Sequence, residues 1–548
     1  MHLNVPTLLL SLLPLATAKS ASQPISSLRS GVAPNLSRRQ ILSKRDVDPS
    51  TLYPAYNLSV PIDHFHNESM YEPHSSGKFN LRYFFDATYY KPGGPVIVLE
   101  SGEDDATDRL PYLQKGIAHQ LAEATGGIAV VLEHRYYGTS FPTPDLSTEN
   151  LRFLTTQQAL ADTAFFARNV VFEGLEDQKL TAPHTPYIAY GGSYAGAFVA
   201  FLRKTYPDTY YGAISSSGVT KAIYDFWEYY EPVREYGPPD CILATQKLTN
   251  IVDNILLGKN NTRGLIKELK TSFGLQDIQY NDDFANALSS GIGGWQGRNW
   301  DPAVNDPSFS QYCGNITANS TLQPVPANLT STVKQLVAAG GYAPQSATLT
   351  TQMLNFISYV NTTLVQPCIA GGQTTNECYT THNASFYALD DITQTWRSWP
   401  YQYCSQWGFL QTGSGVPKDQ LPLISRTITL QYESIICRDA FNITTPSDTA
   451  IINAYGGYNI SYDRLAFIDG EDDPWRGATP HAPEAKPRTS TTDEPFILIE
   501  GAVHHWDENG LFPNETTATL PPAPVADTQM DEATFVKAWM AEWKAGKR

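Results

Sequence analysis

One segment, residues 186–201, constrains the fold more than any other part of the chain. Pro186 to Tyr190 is an apolar and aromatic run typical of a buried strand, followed by a Gly-Gly-Ser-Tyr-Ala turn and a helix of small residues. A strand, a sharp turn and a helix in this order make a nucleophile elbow, which exposes the hydroxyl of its central serine, here Ser193. Because Gly-x-Ser-x-small sequences also arise by chance, an ordinary turn is the alternative on this segment alone.

Strands and helices alternate around this segment. The predicted strands are residues 56–65, 78–85, 94–100, 126–133, 211–218, 464–470 and 495–501, and the predicted helices include 110–124, 155–171 and 531–544. Several of these strands are continuous apolar runs, which is typical of parallel strands covered on both faces. The alternation predicts an α/β fold with a mostly parallel, doubly wound sheet, and it places the elbow at the carboxyl end of a central strand.

The segment 223–441 differs in composition from both of its neighbours. It is rich in Tyr, Asn, Thr and Gln, it lacks short Val/Ile strands, and it contains all six cysteines, which are Cys241, Cys313, Cys368, Cys378, Cys404 and Cys437. This clustering predicts a separately cored, mainly helical insertion held by three disulfides, between a first α/β part (46–222) and a second one (442–548). Cys404–Cys437 is the one pairing that we predict.

The N-terminal residues predict secretion. Residues 5–15 form an apolar segment followed by Ala-Thr-Ala, the pattern of a signal peptide that ends at residue 18. Residues 19–45 are polar and contain two dibasic pairs, so they are a candidate propeptide that a processing protease would cut after Arg39 or Arg45. An ordinary basic linker is the alternative for this stretch.

The glycosylation sequons and the cysteines also indicate a secreted protein. Asn-x-Ser/Thr sequons accept N-glycans in secreted proteins, and the candidate sites are Asn57, Asn67, Asn260, Asn315, Asn319, Asn328, Asn361, Asn383, Asn442, Asn459 and Asn514. The cysteines are even in number and lack the paired spacing of zinc sites, which favours disulfides formed under oxidising conditions. We therefore expect an extracellular protein, with a vacuolar or lysosomal location as the alternative.

Charge and hydropathy argue against nucleic acids and membranes as partners. A net charge of −17 disfavours binding to nucleic acid or to an anionic membrane surface. No later apolar run reaches the roughly 18 residues that a transmembrane helix needs. The sequence does not predict an oligomeric state.

The partners that a nucleophilic serine needs follow the late strands. A serine hydroxyl requires a base, usually histidine, and the base requires a carboxylate that orients it. Asp473 comes after the strand at 464–470, and His504 comes after the strand at 495–501, in the chain order Ser, Asp, His. The adjacent His505 is the alternative base.

Two further patterns concern anion and metal binding. The backbone N–H of Tyr194 and a second donor near Gly102 are the predicted oxyanion hole for a tetrahedral intermediate. The acidic residues at 469–473 could suggest a calcium-binding loop. However, Pro474 occupies the position of the glycine that such a loop requires, and Pro480 occupies that of its bidentate glutamate. We therefore predict no metal and no cofactor.

Six motifs together resemble one family of enzymes. They are EHRYYG at 133–138, LTTQQALAD at 154–162, GGSYAG at 191–196, YQYC at 401–404, DPW at 473–475 and EGAVHH at 500–505. In this combination the chain resembles the proline-specific serine peptidases that include lysosomal Pro-X carboxypeptidase, dipeptidyl peptidase II and secreted fungal prolyl peptidases. It departs from them at Ala195, where glycine is commoner, and at Val503, an additional residue before the two histidines.

The resemblance implies an α/β-hydrolase core with a largely helical cap between the serine and the aspartate. It implies Ser193, Asp473 and His504 as the catalytic triad, and hydrolysis after proline. A proline pocket should be apolar and aromatic, so Trp399, Tyr401 and Trp475 are candidate substrate-binding residues, with membership of the core as the alternative for each.

The leading hypothesis is a secreted serine exopeptidase, either a carboxypeptidase or a dipeptidyl peptidase, that acts on peptides containing proline. A prolyl endopeptidase and an esterase or lipase are alternatives within the same chemistry. An inactive secreted binding protein on a hydrolase scaffold is the alternative from a different class.

Overall fold

The computed structural model of the chain describes residues 47–258 and 262–546. The predicted signal peptide, the candidate propeptide and the sequon at Asn260 lie outside these residues. Within the described part, no helix has the combination of length and apolar character that crossing a bilayer requires.

An eight-stranded sheet forms the centre of the fold. The strands of the structure are β1 (Tyr56–Pro61), β2 (Lys78–Asp86), β3 (Val96–Glu100), β4 (Ile128–Leu132), β5 (Tyr187–Gly192), β6 (Gly212–Ser216), β7 (Ile223–Asp225), β8 (Gly408–Leu410), β9 (Leu465–Gly470) and β10 (Phe496–Ile499). Their order in the sheet is β1-β2-β4-β3-β5-β6-β9-β10, while β7 and β8 form a separate pair. β2 is antiparallel to both β1 and β4, and all other pairings are parallel. The predicted α/β-hydrolase architecture is confirmed.

Twenty α-helices accompany the strands in the described residues. Those of the core are α1 (Pro111–Gln114), α2 (Ile117–Thr125), α3 (Thr156–Asn169), α4 (Tyr194–Thr205) and, at the C-terminal end, α20 (Ala523–Gly546). Those between β6 and β9 are α5 (Glu231–Tyr236), α6 (Pro239–Leu256), α7 (Thr262–Ser272), α8 (Asn281–Leu288), α9 (Ser290–Gly293), α10 (Ser308–Ile316), α11 (Ala327–Val337), α12 (Ser346–Val360), α13 (Gln366–Ala370), α14 (Thr375–Tyr379), α15 (Ala384–Tyr387), α16 (Ser398–Gln402), α17 (Leu430–Glu433), α18 (Ile435–Phe441) and α19 (Thr449–Asn453).

The two faces of the sheet are packed separately. Alternate residues of a strand point to opposite faces, so Val96 and Val98 of β3 join the core under α3 and α4, while Ile97 and Leu99 join the core under α2 and α20. All residues of β3, β4, β6 and β9 are buried, which explains the almost entirely apolar sequences of β3 and β4.

The predicted helix over 110–124 is wrong in one respect, because the structure breaks it into α1 and α2 at Lys115 and Gly116. A Cβ on Gly116 would lie 2.6 Å from the carbonyl oxygen of Glu508, so a neighbouring loop packs against the backbone at the break. The pattern of apolar residues does not record this tertiary contact.

The insertion carries all three disulfides, Cys241–Cys313, Cys368–Cys378 and Cys404–Cys437. The predicted pairing Cys404–Cys437 is confirmed. The expectation of a separate core is wrong, because one cluster of buried residues runs from the α3 and α4 face of the sheet into the insertion. Trp399 and Trp407 of the insertion make this connection, since both rings pack on Tyr194 of α4. The boundaries at 222 and 441 stay a prediction.

Candidate active site

A sharp turn at Ser193 connects β5 to α4. β5 ends at Gly192, α4 begins at Tyr194, and Ser193 between them has φ 61° and ψ −123°. A positive φ at a residue with a side chain costs of order 1–3 kcal/mol, so the surrounding structure must enforce it. The Ser193 N–H donates to the Ser216 carbonyl at the end of β6, 2.9 Å away, and Ser193 stays partly exposed. The predicted strand, turn and helix are therefore present.

Small residues let the strand and the helix of the turn approach closely. A Cβ on Gly191 would lie 2.2 Å from the Ala195 carbonyl oxygen, and one on Gly196 would lie 2.7 Å from that of Ser216. Side chains at either position would collide with backbone. Ala195 stands at a position where glycine is commoner. Its methyl group fits because the residue that faces it, Gly102, has no side chain; a Cβ on Gly102 would lie 3.3 Å from this methyl group.

Asp473 and His504 are joined by a hydrogen bond. Asp473 follows β9 and His504 follows β10, and the His504 Nδ1–H donates to Asp473 Oδ2 over 2.8 Å. The Trp475 N–H donates to the other oxygen, Oδ1, over 2.9 Å. Asp473 is fully buried, and His504 is buried as well. These contacts fix the orientation of the imidazole ring and leave its Nε2 without a hydrogen-bond partner among the described residues.

The electrostatics of this pair suit a neutral imidazole beside an ionised carboxylate. Burial lowers the pKa of His504, and the neighbouring Asp473 offsets this only in part. Burial alone would raise the pKa of Asp473, but the His504 ring and the hydrogen bonds from His504 and from the Trp475 N–H hold it below its ordinary value. A neutral histidine with a free Nε2 can accept a proton.

The loop that carries the two histidines packs against the turn at Ser193. A Cβ on Gly192 would lie 3.3 Å from the His505 ring, and the His505 N–H donates to Ser217 Oγ over 2.9 Å. His505 has a left-handed backbone conformation with φ 36°. The structure therefore brings the loop after β10 next to the serine, as the order of the motifs predicts.

His505 makes a different ion pair from His504. Its Nδ1 lies 2.9 Å from Glu508 Oε2, three residues later in the same loop. Burial alone would lower the pKa of His505, but the Glu508 carboxylate raises it above its ordinary value. His504, rather than the alternative His505, is the histidine that Asp473 orients.

The two predicted oxyanion donors lie on either side of the turn. Tyr194 is the first residue of α4, where the N–H has no carbonyl acceptor within the helix. Gly102 lies in the loop after β3 with φ +70°, and it is in contact with Ala195. Glu133 holds the loop that contains Gly102 in place, because its Oε1 accepts a hydrogen bond from the Ala106 N–H over 3.1 Å. Sequence reasoning placed Glu133 only within a motif and did not identify this supporting contact.

The three aromatic residues predicted to bind substrate occupy different places. Trp475 is buried with its ring 6.4 Å from that of His504, and its Nε1–H donates to Gln296 over 2.9 Å. Trp399 is buried against Tyr194. Tyr401 is partly exposed and packs on Phe441.

Sequence reasoning missed part of the surroundings of Trp475. The ring of Phe226 lies 5.5 Å from that of Trp475, and Gln296 Oε1 accepts a hydrogen bond from the Trp475 indole N–H. Phe226 and Gln296 come from the insertion, far from Asp473 in the chain. No spacing in the sequence signals that they meet at this site.

A buried carboxyl group lies beneath the turn. Asp507 accepts from the Tyr190 hydroxyl of β5 and from Ser216 Oγ of β6, each over 2.6 Å. Burial, above all, raises its pKa to about 6. Glu532 of α20 is also fully buried, and burial together with the adjacent Asp507 raises its pKa well above its ordinary value. The sequence offered no signal for this pair.

Two groups of described side chains have the separations of metal ligands, and neither includes Ser193, Asp473 or His504. In the first, Asp63 accepts from His74 over 2.7 Å, next to His66. In the second, Asp283 already accepts hydrogen bonds from Thr380, Thr381 and Tyr432, beside Asp282 and His382. Their carboxylates are thus occupied by protein donors.

The chain matches known proteins over most of its length. It is 53% identical over 532 residues to a probable extracellular serine carboxypeptidase of Arthroderma benhamiae, with 97% of this chain and 74% of that protein covered. It is 32% identical over 467 residues to the serine protease vicPb of Bipolaris victoriae, with 81% and 82% covered.

Among solved structures, the proline iminopeptidase of Mycobacterium smegmatis aligns over 89% of this chain and 99% of that one. Its TM-score is 0.35 and its sequence identity 11%, values too low to bear on function. The family model of the serine carboxypeptidases S28 matches residues 60–520, which is most of the chain. Together with the elbow and the buried Asp473–His504 pair, this match shows that the chain belongs to the serine carboxypeptidase S28 family.

Proposed function

We propose that the chain is a secreted serine exopeptidase that hydrolyses peptide bonds after proline. In this proposal Ser193 is the nucleophile, His504 is the general base and Asp473 orients and stabilises the base. The observation that carries it is the buried Asp473–His504 hydrogen bond, which leaves the imidazole Nε2 free in a loop packed against the strained turn of Ser193.

The reaction would follow the acyl-enzyme route. Nε2 of His504 takes the proton of the Ser193 hydroxyl as its oxygen attacks the carbonyl carbon of the scissile bond. Asp473 stabilises the imidazolium that forms, because its ionised carboxylate already accepts from Nδ1. His504 then protonates the leaving amine, and a water molecule, activated by the same nitrogen, releases the acyl group from Ser193.

The developing oxyanion would be stabilised by backbone N–H groups. The Tyr194 N–H lies at the first turn of α4, where the helix dipole also favours negative charge. The second donor would come from the loop of Gly102, which contacts the turn at Ala195. Removal of one such donor in a serine peptidase typically costs about 10²–10³ in kcat.

Proline preference is supported by the aromatic side chains beside His504. Trp475, Phe226 and Phe409 form one packed group, and such rings suit the apolar face of a pyrrolidine ring. We assign Trp475 to substrate binding, whereas Trp399 supports the turn through Tyr194 and Tyr401 stays a candidate.

Exopeptidase action and secretion are supported by relatives. The Arthroderma protein is named a probable extracellular serine carboxypeptidase, which favours removal of C-terminal residues by this chain outside the cell. The three disulfides fit the same compartment.

Peptides of the form X-Pro-Y, with each terminus either free or blocked, test the proposal. Release of Y from peptides with a free C-terminus, and not from their C-terminal amides, is the expected result. Release of an X-Pro dipeptide only when the N-terminus is free would make the protein a dipeptidyl peptidase instead. Cleavage that does not depend on proline would contradict the specificity, and hydrolysis of simple esters alone would favour an esterase.

A further inference from the structure

A cavity of about 460 Å³ lies in the insertion, outside the residues of the candidate active site. Its lining is rich in carboxamide and other polar side chains, and Phe386 adds an apolar ring; the polar residues are Gln279, Gln373, Asn376, Glu377, Thr380, His382 and Asn383. The volume falls within the roughly 300–1,000 Å³ of ordinary small-molecule sites. A cavity so lined suits a neutral ligand with many hydroxyl and amide groups.

Three short segments meet at this cavity. The Gln279 N–H donates to Asn376 Oδ1 over 3.0 Å, which ties the segment before α8 to α14. Asn383 caps α15, and the Phe386 ring of that helix stacks on Trp396 at 5.0 Å. The Tyr280 ring also stacks on that of His382 at 3.7 Å, so the protein itself holds these segments together and the cavity is preformed.

Asn383 is both a wall of the cavity and an N-glycosylation sequon, Asn383-Ala384-Ser385. Its Oδ1 accepts from the Phe386 N–H over 3.1 Å and from Ser385 Oγ over 2.9 Å. Since Oδ1 points towards the start of α15, Nδ2 points away from the helix, and no described residue accepts a hydrogen bond from it. Nδ2 is the atom to which an N-glycan is attached.

We propose that the cavity holds the first sugars of the N-glycan carried by Asn383. N-acetylglucosamine presents an amide and several hydroxyls, which match the carboxamides of Gln279 and Asn376 and the carboxylate of Glu377. Its apolar face suits the ring of Phe386. The inference rests on the proposed secretion, because only a chain in the secretory pathway receives such a glycan.

The other sequons offer a matched control. Asn328, on α11, is exposed and is not part of the lining of this cavity, and Asn328-Leu329-Thr330 is also a sequon. Ser385→Ala removes the first sequon but keeps the Asn383 side chain and its cap on α15. Thr330→Ala removes the second sequon in the same way.

The test is digestion of the native, secreted protein with endoglycosidase H, which cuts between the first two sugars. Peptide mass spectrometry then follows the glycans of Asn383 and Asn328 over time. We expect release from Asn383 to be slower by about tenfold or more, since the enclosed sugars must first leave the cavity. The two rates should become equal after denaturation.

Equal native rates at the two sites would overturn the inference, and so would an unmodified Asn383 beside a modified Asn328. If neither asparagine is modified, the inference fails alone, because the protein under test has been secreted. Hydrolysis of X-Pro-Y peptides is expected to be the same in Ser385→Ala as in the wild type. A protected glycan at Asn383 in a protein without peptidase activity would leave the inference intact and contradict the proposed function alone.

Discussion

The buried carboxyl pair beneath the elbow should make the protein less stable as the pH rises. Glu532 is fully buried and interacts with the carboxyl group of Asp507. Burial and the neighbouring Asp507 raise the pKa of Glu532 well above its ordinary value, and Asp531 adds to this. Asp507 in turn faces Glu508, Tyr190 and Ser216, and its pKa rises to about 6.

The sign of the effect follows from proton uptake. Below the ordinary pKa of a carboxyl group, both the folded and the unfolded chain hold the proton, so burial carries no ionisation penalty. As the pH rises, the unfolded chain ionises freely while the folded chain must retain the proton or bury a charge, and stability is lost. For Asp507 the rise from 3.8 to about 6 is about two pKa units, or about 3 kcal/mol, lost between about pH 4 and pH 6. Glu532 extends this loss to higher pH.

Glu532→Gln should remove the part of this dependence that comes from the Glu532 carboxyl group. The carboxamide has nearly the same shape, needs no proton and can donate a hydrogen bond to Asp507. We expect the variant to match the wild type at pH 4 and to be more stable than the wild type at pH 7, while the loss of about 3 kcal/mol that belongs to Asp507 remains, measured as Tm and as unfolding in urea. Glu542→Gln, at an exposed position of the same helix, is the control and should change neither value. A Glu532→Gln stability profile that runs parallel to that of the wild type from pH 4 to pH 7 would refute the reasoning.

Three further predictions concern the turn, the base and the disulfides. Gly102→Ala should lower kcat by about tenfold or more with little change in Tm. The backbone φ of +70° and the nearby Ala195 methyl group leave little room for a side chain beside the oxyanion. An unchanged kcat would contradict this. His504→Ala should reduce kcat/KM for X-Pro-Y peptides further than His505→Ala, and the reverse order would move the base by one position. Loss of Cys241–Cys313, which closes 72 residues, should lower the free energy of unfolding by about 4 kcal/mol, against about 3 kcal/mol for the 10-residue Cys368–Cys378 loop, as measured in urea.

Much of the α/β core could be predicted because its signals are local. The strands at 94–100 and 126–133 are fully buried, so their sequences are continuously apolar. The turn at Ser193 requires glycine at particular positions, which leaves a readable pattern. Asp473 and His504 follow strands whose carboxyl ends meet at one edge of the sheet, so their proximity followed from the predicted topology.

The rest depends on contacts between distant parts of the chain. Gln296 and Phe226 reach Trp475 only because the insertion folds back over β9. Glu532 meets Asp507 because α20 returns to the sheet, and no local pattern marks it as buried. The separate core expected for the insertion is absent for the same reason, since Trp399 and Trp407 pack directly on Tyr194.

Labelling with a fluorophosphonate probe tests the central assignment most directly, because such a probe modifies only an activated serine. Peptide mapping of the labelled wild type should find one adduct, on Ser193, and the Ser193→Ala variant should remain unlabelled although folded. Asp473→Asn should label much more slowly, since it can no longer orient His504 as an ionised acceptor. An unlabelled wild type, or undiminished labelling of Ser193→Ala, would contradict the account.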